Sequence, residues 1–285
     1  MIYLILAILC SSAVNVVMRL SEGRSGNVFV MFMTNYAVCA FIAFLFLGGQ
    51  TPFAPREGMR FAVLLGLIGG CIYLACLTLL RVNITKNGVM LASVFMKLGV
   101  LVPALMAIFF FREKPTALQL IGFAVAVAAI LVIYIEPKAE DRSGSGSRAW
   151  ALFLLLALLV TSGLVGSLAN IYDKLGVREI KDHFLFCNFL TAFVLSGIAA
   201  LISRKRVSPW DPLLGVMIGV PNYFCTRCLL LSLSHLPAVV VYPVYNIGAI
   251  VVISLFGILL FGERPGRRKL IGLGMILAAL ALLNM

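Results

Sequence analysis

Charge is what this sequence has least of. Asp, Glu, Lys and Arg make up 12% of its 285 residues, against about 25% in an ordinary soluble domain. Acidic residues are the scarcest, 11 against 23 Lys and Arg, and none lies deep in an apolar segment: Glu22, Glu136 and Asp173 all fall at segment edges. Carriers of cations and many proton-coupled antiporters need a buried carboxylate that alternates between proton and substrate. Its absence argues against an exporter of cationic drugs or quaternary amines. Histidine is nearly absent as well. His183 and His235 sit near segment ends, there is no HExxH, and no Ser/His/Asp set lies within the apolar segments. That argues against an intramembrane enzyme. Polar positions are too sparse to line a channel continuously.

The 7 cysteines fall almost entirely inside apolar segments and read as small buried residues, not as a disulfide framework. Cys225 and Cys228 form a CxxC, but on a predicted helix with no second pair nearby, so neither zinc nor redox chemistry is expected. No metal site and no cofactor is expected elsewhere. The net charge of +12 does not point to nucleic acid. The basic residues sit in short loops between apolar segments, where they anchor helices to anionic headgroups.

What fills the chain instead is hydrophobic sequence, 62% of it. A hydrocarbon core about 30 Å thick takes roughly 20 apolar residues per helix. Ten segments meet that length: 2–20, 28–48, 59–80, 88–111 and 116–135, then 149–171, 183–203, 210–233, 237–261 and 267–284. They lack the alternation of barrel strands, so they are read as helices. Residues 1–20 are expected to be the first span and not a cleavable signal peptide. Residues 136–148, charged and rich in Gly and Ser, read as a flexible linker.

The sequence also repeats itself. Phe111-Arg112-Glu113-Lys114-Pro115 with Ile121-Gly122 recurs as Phe261-Gly262-Glu263-Arg264-Pro265 with Ile271-Gly272, 150 positions later. Tyr73 matches Tyr223 at the same offset, Asn15 and Arg19 match Asn170 and Lys174 at 155, and Asn35 matches Asn188 at 153. The repeats are therefore 1–135 and 149–285, joined by the linker. An odd number of spans per repeat requires the second to insert upside down relative to the first, and such inverted repeats place a substrate site near the midplane. The expected fold is an all-α polytopic membrane protein of ten transmembrane helices in two inverted five-helix repeats.

Ten spans in two such repeats, each with a Phe-x-Glu-basic-Pro turn before a helix that opens on Ile-Gly, resemble the EamA-type members of the drug/metabolite transporter superfamily. The resemblance covers nearly the whole chain. It implies a secondary transporter of small metabolites in the cell (inner) membrane, with a helical basket around a central cavity. It implies no particular substrate.

Lys97 is the sharpest candidate for a transport role. It lies about 14 Å into the fourth span, too deep to snorkel easily. A charge there costs at least about 3 kcal/mol unless it faces a polar cavity. A lysine can also be held by helix-end carbonyls within a bundle, but the repeat mate of Lys97 is Ile247, whereas a scaffold requirement would recur in both halves. Arg227 comes second, with Tyr223 one turn away on the same helical face. Tyr242, Tyr245 and Asn246 form a polar-aromatic stripe around Pro243, and Tyr73 and Tyr223 form a symmetric pair near mid-span. Asn15, Asn35, Asn170, Asn188 and Asn222 read as interhelical hydrogen bonders. Pro103 permits a kink beyond Lys97. Glu113 and Glu263 stand before helix-starting prolines, where a carboxylate suits the positive dipole end.

The reading is a carrier of a small anionic or zwitterionic metabolite, with lipid and substrate as its partners. Lys97 is expected to meet the anion close to Tyr223, Arg227, Tyr242 and Asn246, and to couple transport to protons. The alternative is an exporter of cations, with an enzyme or channel behind it. Orientation divides the signals. Loops after odd-numbered spans hold 14 Lys and Arg and those after even-numbered spans 7, which places both termini outside, while the resemblance implies both inside.

Overall fold

The computed structural model describes residues 2–48, 51, 57–102, 116–134, 145–235, 238–262 and 266–283. Among these there are ten α-helices: α1 (Ile2–Leu20), α2 (Val28–Phe46), α3 (Met59–Asn87), α4 (Val89–Leu98), α5 (Ala117–Tyr134), α6 (Ser145–Leu175), α7 (Lys181–Ser203), α8 (Trp210–His235), α9 (Ala238–Phe261) and α10 (Arg267–Leu283). No strand occurs among the described residues. Among the described residues six stretches of helix, in α1, α2, α3, α6, α7 and α9, are long and apolar enough to cross a membrane. Pro103, Glu113, Glu263 and most of the linker lie outside the described residues, whereas positions 145–148, read as linker, open α6.

Two departures from the sequence reading stand out: α4, expected over 88–111, ends at Leu98 with a turn at 99–100 and Lys97 in its last turn, and α3 runs seven residues past its expected end at position 80. Gly88 alone separates it from α4, with φ +85° and ψ 159°, a backbone conformation that L side chains adopt only under strain. The glycine turns the chain without a loop, and Lys97 follows only two turns later.

Helix packing is preserved when each helix is exchanged for the one five further on. α2 packs on α8 and α7 on α3; α1 packs on α8 and α6 on α3; α1 packs on α9 and α6 on α4. The pairs α2 with α7, α4 with α9 and α5 with α10 map onto themselves. Matched glycines allow the close approaches. A Cβ on Gly69 in α3 would stand 2.4 Å from Asn188 Oδ1 of α7 and would turn that side chain aside, while one on Gly219 in α8 would stand 2.8 Å from the Asn35 carbonyl of α2, which the backbone accommodates only if the helices part.

α2 and α7 run antiparallel. At one end the Asn27 side chain, capping α2, donates to Ser203 Oγ at 3.0 Å. At the other, the Phe44 and Phe186 rings lie 6.1 Å apart. Outward faces are apolar, with Phe41, Leu64, Leu201 and Leu259 exposed, as lipid-facing helices require.

Candidate functional site

Lys97 lies on α4 and is only 6% exposed. Its Nζ donates to Ser11 Oγ of α1 at 3.1 Å and stands 3.9 Å from the centre of the Tyr245 ring of α9. The Tyr245 hydroxyl is in turn 3.2 Å from Cys225 Sγ of α8. Four helices therefore close around the ammonium. Among the described residues no carboxylate pairs with it. An ammonium has three N–H donors. A hydroxyl and an aromatic face stabilise the charge, the ring by about 2 kcal/mol when desolvated, but neither neutralises it.

The site continues one turn along α1 and α4. Asn15 is four residues beyond Ser11, and Ser93 four before Lys97, so each pair shares a helix face. Ser93 Oγ lies 3.0 Å from Asn15 Oδ1 and 2.6 Å from the Val89 carbonyl, with one proton to serve both. Asn15 Nδ2 donates to the Ser11 carbonyl at 2.9 Å.

Arg227 belongs to a different neighbourhood. It donates to Asp182 Oδ1 of α7 at 3.1 Å and to the Tyr223 hydroxyl at 3.3 Å, and its guanidinium lies 3.6 Å from the centre of the Phe46 ring. The sequence reading set Lys97 beside Tyr223 and Arg227. The structure separates their contacts because positions two apart on α8 point about 200° apart. Cys225 faces α9 and the lysine site, while Tyr223 and Arg227 face α2 and α7.

Tyr223 is buried and stacks on Phe46 at 5.8 Å. Tyr73 meets Phe189 edge-on at 5.8 Å, and its carbonyl accepts from the Tyr36 hydroxyl at 2.9 Å. Asn246, next to Tyr245, is buried. The Tyr242 side chain lies outside the described residues, as does that of Asn170. The interhelical asparagine reading holds for Asn222, which donates to Asn35 Oδ1 at 3.2 Å, and for Asn15. Asn188 differs: both its side-chain polar atoms are buried without a hydrogen-bond partner among the described residues. No three His, Cys, Asp or Glu side chains among the described residues converge to hold a metal ion.

Ser11 and Ser93 join the site beside the candidates read from sequence, and Cys225 enters it as a neighbour of Tyr245 and not as half of a metal or redox motif. The first two carried a signal, their four-residue spacing to Asn15 and Lys97. Cys225 carried none beyond the CxxC.

Three comparisons bear on this architecture. A solved crystal structure superposes with a TM-score of 0.66 at 14% identity, covering 99% of this chain and 94% of the other, which establishes the fold alone. An uncharacterised protein of Haemophilus influenzae is 21% identical over 288 residues, spanning 97% of this chain and 95% of that one. The profile of the EamA-like transporter family matches residues 1–135 and 149–285. With nearly every residue under that match, the chain belongs to the EamA-like transporter family, and it is a multi-pass membrane protein.

Proposed function

We propose that this protein is a secondary active transporter of a small anionic or zwitterionic metabolite in the cell (inner) membrane. Its two inverted five-helix repeats, 1–135 and 149–285, would alternate access to a central site, and Lys97 is the residue that meets the anionic group. The carrying observation is an ammonium with no counter-ion among the described residues. Lys97 is buried among four helices with a hydroxyl and a ring for company. An unpaired buried charge is costly, and a hydrogen-bonded counter-ion offsets much of that cost. An arriving carboxylate or phosphate supplies the counter-ion, so binding is favourable where the empty site is strained. The antiparallel course of α2 and α7 and the exchange symmetry of helix packing support the inverted arrangement. Among the described residues no carboxylate stands beside Lys97, which weighs against cations as cargo.

Tyr245 and Ser11 orient the ammonium. Proton coupling would run through the same amine, since a lysine, unlike an arginine, can exchange its proton.

The test is a thermal-shift screen of purified protein against carboxylates, amino acids and phosphorylated metabolites, followed by uptake into proteoliposomes. Lys97→Met keeps most of the volume and should fold, but lose both stabilisation by the anionic hit and its transport. Lys97→Arg should bind in part and lose proton coupling, because guanidinium does not deprotonate in proteins. Equal affinity and equal transport in wild type and Lys97→Met would make Lys97 a structural residue and remove the case for an anionic substrate.

A further inference from the structure

The C-terminal ends of α1 and α3 carry more positive charge than they neutralise. Arg19 in the last turn of α1 pairs closely with Glu22 just beyond it. Arg81 of α3 lies 3.7 Å from the other oxygen of the same carboxylate, too far for a hydrogen bond. Glu22 Oε1 is buried with no hydrogen-bond donor among the described residues. The two guanidiniums also cap each other's helices: Arg81 donates to the Met18 carbonyl at 2.7 Å and Arg19 to the Ile84 carbonyl at 3.3 Å. All these contacts run through Nη1, while a guanidinium carries five N–H donors in a fork shaped for carboxylate and phosphate. Two cations thus share one carboxylate that satisfies only one of them.

This cluster stands at the end of a polar line that reaches Lys97. Along α1, Arg19, Asn15 and Ser11 are spaced four apart, and along α4 Ser93 and Lys97 are too. The rungs between the helices are the Ser93–Asn15 contact at 3.0 Å and the Lys97–Ser11 bond at 3.1 Å. Arg19 has a basic mate in Lys174, but its two partners do not recur in the other half. At the 150-residue offset Arg81 becomes Leu231, and at the 155-residue offset Glu22 becomes Val177. Helix capping alone would give no reason for that asymmetry.

We propose that Arg19 and Arg81 form an outer anion site, filled in this structure by the protein's own Glu22. A carboxylate or phosphate group displaces Glu22 there and then passes along the Asn15–Ser93 rung to Lys97. The site rests on the anionic reading of Lys97 for its role in transport, but its existence is testable without that lysine. The glutamate keeps the mouth from holding stray anions tightly and lowers the step an anion must climb to leave it for the deeper charge.

The experiment follows the melting temperature of purified full-length protein as inorganic phosphate, or separately succinate, is titrated at constant ionic strength. Lys97→Met removes the deep site and isolates the mouth. In that background Glu22→Gln should tighten the apparent anion affinity about tenfold, a modest change for one competing charge removed. Adding Arg81→Gln should abolish the response. Identical titrations for Lys97→Met and Lys97→Met/Glu22→Gln would overturn the site. Should Glu22→Gln fail to give folded protein, Lys97→Met/Arg81→Gln decides: loss of the residual anion response supports the site, and its persistence overturns it. Failure of the Lys97 reading shows separately, as equal responses of wild type and Lys97→Met.

Discussion

The two ends of the α2–α7 pair do the same job with opposite chemistry. At the end where α2 begins and α7 stops, the loop after α1 is fastened to the start of α8 by Asp211. Its carboxylate is fully buried and accepts four hydrogen bonds: from Ser25 Oγ at 2.7 Å and from the backbone amides of Gly26, Asn27 and Ser208. Ser208 and Asp211 make a capping box on α8, and the same carboxylate reaches across to the other repeat. At the opposite end, the start of α3 meets the end of α6 and the start of α7 through stacked rings. Tyr172 lies 4.4 Å from Phe184, nearly parallel, and 6.3 Å from Phe61. Phe61 occupies the position equivalent to Asp211, 150 residues earlier. A carboxylate with four directional partners holds one geometry and releases as a unit. Stacked rings tolerate sliding. The two ends are thus held by contacts of different kinds.

The sharpest way to break this comparison is Asp211→Asn. The shape is kept, but an amide nitrogen replaces an acceptor where backbone N–H groups already point inward. Hydrogen bonds to charged groups are worth about 1.5–3 kcal/mol each and stranded donors add a cost, so the expected loss is about 3 kcal/mol. Phe61→Leu, at the equivalent position, should cost about 1 kcal/mol, the worth of one aromatic pair. Thermal denaturation in a single detergent ranks the two. Equal melting temperatures would mean that the carboxylate is not what fastens its end.

Next in size is Tyr172. Tyr172→Leu removes both stacks together with the hydroxyl bond and should cost about 2.5 kcal/mol. Tyr172→Phe keeps the stacks and removes only the hydroxyl bond to the Val177 carbonyl, 3.0 Å long, for about 1 kcal/mol. If the two substitutions destabilise equally, the hydroxyl and not the stacking holds this end, and the contrast with Asp211 shrinks to one hydrogen bond against four.

Much of this architecture is legible in the sequence because its strongest determinants are local and long. Apolar runs give the helices to within a few residues except at α3 and α4, the Phe-x-Glu-basic-Pro signature points to the duplication, and a lone charge in Val94-Phe95-Met96-Lys97 attracts notice by itself. The extension of α3 was missed because Asn83, Thr85 and Lys86 look like loop residues, yet helix continues until Gly88 forces a turn. The site was half legible. Lys97 and Tyr245 meet, but nothing local in α8 says which face turns to α9, so Arg227 was set beside the lysine when its partner is Asp182 on α7. The Ser208-Pro209-Trp210-Asp211 capping box is readable as a helix start. Its bonds to residues 25–27 are not, because they depend on how two repeats come together.

The smallest expected effect concerns that same Arg227. Its pair with Asp182 is the ion pair found at the aromatic end among the described residues, and it is wet: the side chains are 26% and 41% exposed. Exposed pairs of this kind are screened by water and salt and seldom exceed about 1 kcal/mol. A double-mutant cycle of Arg227→Gln and Asp182→Asn, read by thermal denaturation, should give a coupling of about 0.5 kcal/mol or less, falling further as salt is raised. The Arg227 contribution that survives Asp182→Asn should come from the Phe46 face at 3.6 Å and the Tyr223 hydroxyl at 3.3 Å, and salt screens the first less because the ring excludes water from one side. A coupling above about 1.5 kcal/mol, beyond what a surface pair supplies, would mean that this end too is held by a buried-type ionic latch. The two ends would then differ in sequence but not in kind.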